Sequence, residues 1–374
     1  MLLIVNAGSS SLKLAVFDGD VTVARASVTE MSGGDPATAL VRGLGQTGVP
    51  MTALKAAAHR VVHGGNTLTA TCRVTLAVQD QIEACIPLAP LHNPANLQGI
   101  RSIAALLPDL PQYACFDTAF HATNPAVATT YAIPPGDRAR GIRRYGFHGI
   151  SYAALVRILT AQGRLPQRLL ACHLGNGASL CAIVNGRSVA TTMGYSPLDG
   201  LTMGTRAGSI DGNAVMRLVE VHGLERAKAI LNHEGGLLGL GGANDLRALH
   251  RSDQPQAKFA LDHFAYWAVR HAGSMVAAMG GLDALVFTGG IGENDPWVRN
   301  EILSGLAFMG VSSDSQANDR NETTLHDQTS RVAIWIVPAD EERQIALEAE
   351  AVIEAAAQAV IASQAQAVIA GEGA

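Results

Sequence analysis

Apolar residues gather in short blocks at the start of the chain. Residues 2–5 (LLIV) predict a buried strand, Leu12 to Phe17 a second, and Val21 to Ala26 a third. A polar Gly-Ser turn, Asn6 to Ser11, parts the first two, and Asp18-Gly19 between apolar runs predicts a hairpin turn. The same order returns further on. Leu169 to His173 is apolar, Gly175 to Ser179 is a turn, and Leu180 to Val184 is the next strand. Asn185-Gly186 is then the hairpin turn, and Ser188 to Thr191 the third strand. The two hairpin glycines, Gly19 and Gly186, stand 167 residues apart. A unit used twice at that spacing predicts a duplicated α/β domain with a cleft between its halves.

Helical patterning fills the intervals. Gln79 to Ile86 and Asn96 to Leu107 predict helices, with Pro94 just before the second. Lys258 to Met279 predicts a long apolar-rich helix stopped by Gly280-Gly281. Glu341 to Ile369, rich in Ala and Gln, predicts a long terminal helix that packs back on the first half. Residues 312–330 are polar and predict a surface loop.

Composition narrows the class. The chain has 374 residues, 48% of them hydrophobic, enough for two cores rather than one. A net charge of -5 without any polybasic run argues against a nucleic-acid partner. The five cysteines (Cys72, Cys85, Cys115, Cys172, Cys181) include no CxxC pair, which fits reduced thiols in a cytoplasmic protein. The N-terminal apolar run breaks at Asn6, too early for a signal peptide or a membrane span.

Neither GxxxxGK[ST] nor HExxH occurs, so a P-loop and a zincin site are excluded. Three small-residue loops remain: Asn6 to Ser11, His173 to Gly177, and Phe287 to Asn294. Glycine lets backbone N–H groups approach phosphate oxygens closely, and Ser or Asn adds donors without bulk. Lys13 adds positive charge near the first loop. Other segments concentrate Arg, His and Asp beside Gly or Pro: HRVVHGG (59–65), PLHNP (90–94), FDTAFH (116–121), RRYGFHG (143–149) and MGTRAG (203–208).

These ordered segments resemble those of the acetate kinase family, in the superfamily of acetate and sugar kinases, actin and heat-shock chaperone ATPases. The likeness runs from Leu3 to about Ala346. It implies a duplicated RNase-H-like (actin-like ATPase) fold of two lobes with a central cleft. The first lobe would hold residues 1–118 with the returning helix, 343–374. The second, nucleotide-binding lobe would hold residues 119–342.

The resemblance also implies roles. Arg60 and Arg206 flank the acyl substrate and the transferring phosphoryl group, as guanidinium forks suit carboxylate and phosphate oxygens. His148 donates to the phosphoryl oxygens in the transition state. Asp117, at the end of an apolar run, is the essential carboxylate; an acid acceptor is already ionised near neutral pH, so no general base is required. Asn6 and Glu341 hold magnesium, with manganese as an alternative. Ser9, Ser11, Lys13, His173, Gly175, Asn176 and Gly177 meet the ATP or ADP phosphates. Asp245, Leu246 and Arg247 lie beside the adenosine, and Gly289, Gly290, Ile291, Gly292 and Asn294 form the adenine loop. Val62, Leu91, Phe147 and Pro197 take the acyl methyl. His63, His92 and His121 are read as supporting residues. The family is homodimeric, which implies a C2 dimer.

Two departures stand out. The family reads HGTSH where this chain has Tyr152 in place of the second histidine. It reads GTRCGDIDP where this chain has Ala207, Ser209 and Gly212. The expected activity is phosphoryl transfer between ATP and acetate. A propionate or other short-chain acyl kinase stays open, as does a non-catalytic nucleotide switch, against which Arg60, Arg206 and Asp117 argue.

Overall fold

The computed structural model describes residues 1–8, 11–29 and 36–371. Among them, eleven strands form two sheets. The first sheet holds β1 (Leu2–Ala7), β2 (Leu12–Asp18), β3 (Val21–Val28), β4 (Ala56–Val61), β5 (Cys72–Arg73) and β6 (Gln112–Phe116) in the order β3-β2-β1-β4-β6-β5. The second holds β7 (Arg168–Leu174), β8 (Ala178–Val184), β9 (Arg187–Thr191), β10 (Ala284–Thr288) and β11 (Ala333–Ile336) in the order β11-β10-β7-β8-β9. The two have one topology. The first strand runs antiparallel to the second, the second to the third, and the first is parallel to the fourth. Each second strand carries a register shift just before its hairpin, at Val16/Phe17 and at Ala182/Ile183. The duplicated two-lobe actin-like fold is thus present strand by strand.

One turn differs from the sequence reading. Asp18 pairs with Val21, so the two loop residues are Gly19 and Asp20, with Gly19 at φ 53°. Asp18 keeps the extended backbone of β2, and glycine alone supplies the left-handed step. In the second hairpin both Asn185 (φ 49°) and Gly186 (φ 75°) are left-handed, as a type I′ turn needs. The helices also start earlier than their apolar spacing predicts. Thr75 caps Leu76–Ala84 by accepting from the Val78 N–H, Pro94 lies in the first turn of Asn93–Leu106, and Pro255 opens Pro255–Met279. The polar stretch 312–330 holds a short helix, Ser315–Asp319, capped by Asp314.

The chain divides into two compact units, Met1–Ala119 with Asp340–Ala374, and Phe120–Ala339. In the first, helices Pro36–Thr47 and Asn93–Leu106 pack on the sheet, and Leu3, Val5, Leu14 and Ile103 are buried together. The terminal helix Glu341–Gly371 lies against β1, β4, β5 and β6 through the buried Ile345, Ala346 and Ala349. In the second unit, helix Gly149–Ala161 sets Tyr152, Leu155 and Leu159 on alternate residues of β7, β8 and β10. The central strands are buried along nearly their whole length, which is why they read as unbroken apolar runs rather than as alternation. Among the described residues no helix is long and apolar enough to cross a membrane.

Candidate active site

In the first unit the chemistry collects at the carboxyl ends of the parallel strands, where open α/β sheets place their ligands. Asn6 and Arg60 are the penultimate residues of β1 and β4, and Asp117 follows β6 directly, its N–H donating to the Val61 carbonyl at 3.0 Å. The Arg60 fork closes on Asp117. Nη2 reaches Oδ2 at 2.6 Å, while Nε reaches Oδ1 at 3.2 Å and Oδ2 at 3.1 Å. Arg60 Nη1 stands 3.5 Å from Asn6 Oδ1. Asp117 is buried, whereas the Arg60 side chain keeps 21% exposure. Burial alone would lower the Arg60 pKa, but the Asp117 and Glu341 carboxylates more than offset it and hold the guanidinium charged. Lys13 pairs with Asn6 across β1 and β2, so both share a face. The Gly8 N–H donates to the Ser11 carbonyl at 2.8 Å, and Ser9 lies outside the described residues.

Two asparagines missed in the sequence reading hold the loop after Arg60. Asn96 accepts from the Val62 N–H at 3.0 Å and donates to the Ala7 carbonyl at 2.7 Å. Asn93 accepts from the His63 N–H at 3.0 Å and donates back to the His63 carbonyl at 3.0 Å. Both come from the segment that carries the half-buried Leu91, so one helix start fixes Val62 and the turn beside it. A backbone-to-asparagine contact of this kind leaves no periodic signal in a sequence.

No three His, Cys, Asp or Glu side chains among the described residues cluster as a protein-only metal cage would need. Asn6 and Glu341 instead offer isolated oxygen donors close to the Arg60 charge. That set fits magnesium, a hard cation that takes one or two protein oxygens plus phosphates and keeps its waters.

In the second unit β7 delivers His173 to the turn Gly175-Asn176-Gly177. Gly175 N–H donates to the Gly177 carbonyl at 3.0 Å. A Cβ on Gly177 would stand 3.2 Å from His148 Nε2 and 3.7 Å from Arg206 Nη1, so an imidazole and a guanidinium border one glycine. The His148 and His173 rings stack at 4.2 Å between centroids, inclined by 23°. His148 Nδ1 lies 2.9 Å from Ser179 Oγ, and His173 Nδ1 lies 2.9 Å from Ser151 Oγ. Arg206 Nη1 donates to the Pro197 carbonyl at 3.0 Å. The loop carrying Pro197 is itself tied down by Arg144, which meets Asp199 at 2.9 Å. Ser209, where the family pattern is acidic, donates to Asp199 at 2.7 Å. Phe147 is buried, and its carbonyl lies 2.9 Å from His121 Nε2. Burial pushes the His121 pKa down to about 4.

Beside Asn176 opens a cavity of about 730 Å³, lined by Asn244, Asp245, Leu246, Arg247, Gly290, Ile291 and Asn294. Its size suits a small-molecule ligand. Asp245 and Arg247 form a fork at 2.6 Å on its rim, and Asp245 also caps the helix Leu246–His250. Gly289 (φ 79°) and Gly292 begin and continue the short helix Gly289–Asn294, whose Gly289 N–H donates to Glu293 at 2.9 Å. Arg299, fully buried, anchors that helix by donating to the Gly292 carbonyl at 2.9 Å and to Asn318 Oδ1 at 2.7 Å. Burial lowers its pKa to about 10. The sequence reading missed Arg299 because it lies in an ordinary-looking helical stretch.

Among known proteins, the acetate kinase of Nitrobacter hamburgensis is 41% identical, matching 92% of this chain and 94% of that one. A crystal structure of acetate kinase from Porphyromonas gingivalis superposes with a TM-score of 0.84 at 33% identity, covering 94% of this chain and 99% of that one. A propionate kinase from Francisella tularensis superposes with a TM-score of 0.87 at 34% identity, covering 93% and 98%. The sequence profile of the Acetokinase family matches residues 37–347. With a family profile and relatives that each match most of its length, the chain belongs to the Acetokinase family.

Proposed function

We propose that this protein is an acetate kinase that transfers a phosphoryl group reversibly between ATP and acetate, giving acetyl phosphate and ADP by direct in-line displacement. The observation that carries the reading is the convergence of His148 and Arg206 on Gly177 of a glycine-rich turn. Phosphoryl transfer asks mainly for charge neutralisation and positioning, and that arrangement offers both at a point where backbone can approach closely.

The residues take the following parts. Arg206 and His148 neutralise charge on the transferring group. Arg60 binds the acid and the phosphoryl oxygens, its fork held by Asp117. Asp117 acts as an electrostatic and orienting carboxylate rather than a base, because the acetate oxygen is already a nucleophile. Val62, Leu91, Phe147 and Pro197 receive the methyl group. Lys13, Ser9, Ser11 and the His173–Gly177 turn meet the phosphates, and the cavity beside Asn244 to Arg247 takes adenosine. Asn6 and Glu341 would hold magnesium, which when bound offsets phosphate charge. On this reading the second unit is the nucleotide-binding one, and the enzyme works in the cytoplasm as a homodimer.

A second reading, propionate kinase, draws on the equal likeness to the Francisella enzyme. One methylene is worth only about 1–3 kcal/mol in an apolar pocket, so the preference is partial. Acetate is preferred, propionate accepted and butyrate poor. The test is hydroxylamine trapping of acyl phosphate with ATP and magnesium across the three acids. No hydroxamate with any acid rejects the kinase, and butyrate equal to acetate rejects the preference.

A further inference from the structure

Two short helices wall the cavity beside Asn176, and both begin at the glycine-rich turn. Gly289 opens the helix Gly289–Asn294, and a Cβ on it would stand 2.8 Å from the carbonyl oxygen of Leu174, just before Gly175. Asn244 precedes Asp245, the cap of Leu246–His250. A Cβ on Gly204 would meet both the Asn176 side chain and the Asn244 carbonyl, and the Gly204 N–H donates to the Asn176 carbonyl at 3.1 Å. From that shared start the six residues of Gly289–Asn294 rise about 9 Å. At their far ends the walls meet again. His250 Nε2, on the last residue of one helix, lies 2.9 Å from Oδ2 of Asp295, the residue after the other. Among the described residues, no other hydrogen bond joins segments 244–250 and 289–295.

The contact is supported from both sides. Asp295 Oδ1 accepts from the Val298 N–H at 3.0 Å, capping Pro296–Gly305, and the Asp295 N–H donates to the Ile291 carbonyl at 2.9 Å. Trp297 meets the His250 ring edge-on, with 5.4 Å between centroids. The Asp295 side chain is 13% exposed, whereas Arg247 on the rim is 83% exposed. A helix as short as Leu246–His250 has no stability of its own. It takes its place from the buried Leu246 and Leu249 and from the His250 contact.

We propose that His250 is a positioning residue for the nucleoside part of the nucleotide. By tying Asp295 to the end of Leu246–His250, it fixes the separation of the two walls between which the base inserts. The inference rests on the kinase reading, which wild-type turnover with ATP tests separately.

The physical reason is preorganisation. With phosphates at the glycine-rich turn, the base points toward the closed end of the cavity. Asp295 is part of the cavity wall there, and His250 reaches the cavity through it. A gap already held at its working width spares the nucleotide the cost of ordering a wall on binding. The phosphates, seated at the other end, gain nothing from the contact. Its effect is therefore confined to ligands that carry the nucleoside.

The experiment measures kcat and KM for ATP and acetate in wild type, His250→Ala, His250→Gln, Asp295→Ser and the double variant His250→Ala/Asp295→Ser. Adenosine and inorganic tripolyphosphate serve as competitive inhibitors against ATP. Serine keeps a capping oxygen for Val298 but is too short to reach the imidazole. His250→Ala should raise KM for ATP and Ki for adenosine by about fivefold, within the cost of ordering one side chain. Its kcat, its KM for acetate and its Ki for tripolyphosphate should stay within about twofold of wild type, because only nucleoside binding has changed. His250→Gln should bring the adenosine Ki back to within about twofold, since an amide N–H can replace the imidazole donor. Asp295→Ser should match His250→Ala, and the double variant should be no weaker than either, because both remove one contact. Four results would each overturn the proposal. One is a folded His250→Ala enzyme whose adenosine Ki lies within about twofold of wild type, too little for a lost wall contact. The second is a tripolyphosphate Ki that rises as much as that of adenosine, which marks a general loosening. The third is a double variant whose loss is the product of the two single losses. The fourth is a wild-type enzyme that turns over ATP but is not inhibited by adenosine. Should Asp295→Ser not fold, His250→Ala and His250→Gln decide the matter.

Discussion

Removing Arg60 tests how the first unit is held together as well as how it works. Asp117 is 1% exposed and takes three N–H contacts from the Arg60 fork, the shortest 2.6 Å. Arg60→Ala takes the guanidinium away from that carboxylate. Breaking a buried ion pair from one side costs about 3–5 kcal/mol, far more than the net worth of the pair, because the remaining charge stays desolvated. The vacated side chain was 21% exposed, so water enters where it stood, and the low end applies, about 3 kcal/mol. Asp117→Asn is the milder change. Arg60 keeps its own access to water, and the loss is about 1 kcal/mol, one net hydrogen bond. For a unit of this size 1 kcal/mol moves the midpoint by about 2–4 °C, so Arg60→Ala should fall about 6–12 °C in calorimetry of the whole chain. The double variant Arg60→Ala/Asp117→Asn should recover part of that loss, because the buried charge that lost its guanidinium is gone. If the double variant is no more stable than Arg60→Ala alone, the loss of the guanidinium beside a buried carboxylate is not the cause, and the reasoning fails.

Other outcomes follow from the same geometry. His59 and His121 are buried with pKa values near 4, below the ordinary 6.5, so their stabilisation is full above pH 6.5 and is lost as pH falls toward 4. Each contributes up to about 3 kcal/mol, read as the drop in urea midpoint between pH 7 and 4.5 and as a shallower drop in His121→Asn. Gly177→Ala puts a methyl 3.2 Å from His148 Nε2 in a half-buried turn; kcat should fall at least about a hundredfold with the melting temperature nearly unchanged, and normal turnover would contradict the site. Arg299→Met should leave the Gly292 and Asn318 carbonyls without their donors, costing about 1–3 kcal/mol each. It should raise KM for ATP and leave KM for acetate unchanged in steady-state kinetics.

Much of the architecture follows from local physics that a sequence carries. The strands are short apolar blocks, the second hairpin is an Asx-Gly turn, and the long helix Pro255–Met279 has apolar spacing with a glycine stop at Gly280. Those signals are set by neighbours in the chain, so the repeated unit could be read from turn spacing alone. Arg60, Asp117, His148 and Arg206 were singled out through the resemblance of their segments to the acetate kinase family, and folding puts Arg60 on Asp117 and both His148 and Arg206 beside Gly177. What the sequence could not carry were contacts made across long separations. Asn96 reaches Ala7, Ser179 reaches both His148 and Tyr152, and Arg299 reaches Asn318. No local propensity encodes them, because each side chain is an ordinary helix or strand residue until the sheets bring its partner near. Folding thus decided how the candidate groups are held, with Asn96 on the Val62 backbone and Ser179 behind His148, while the order of residue types along the chain had already supplied those groups.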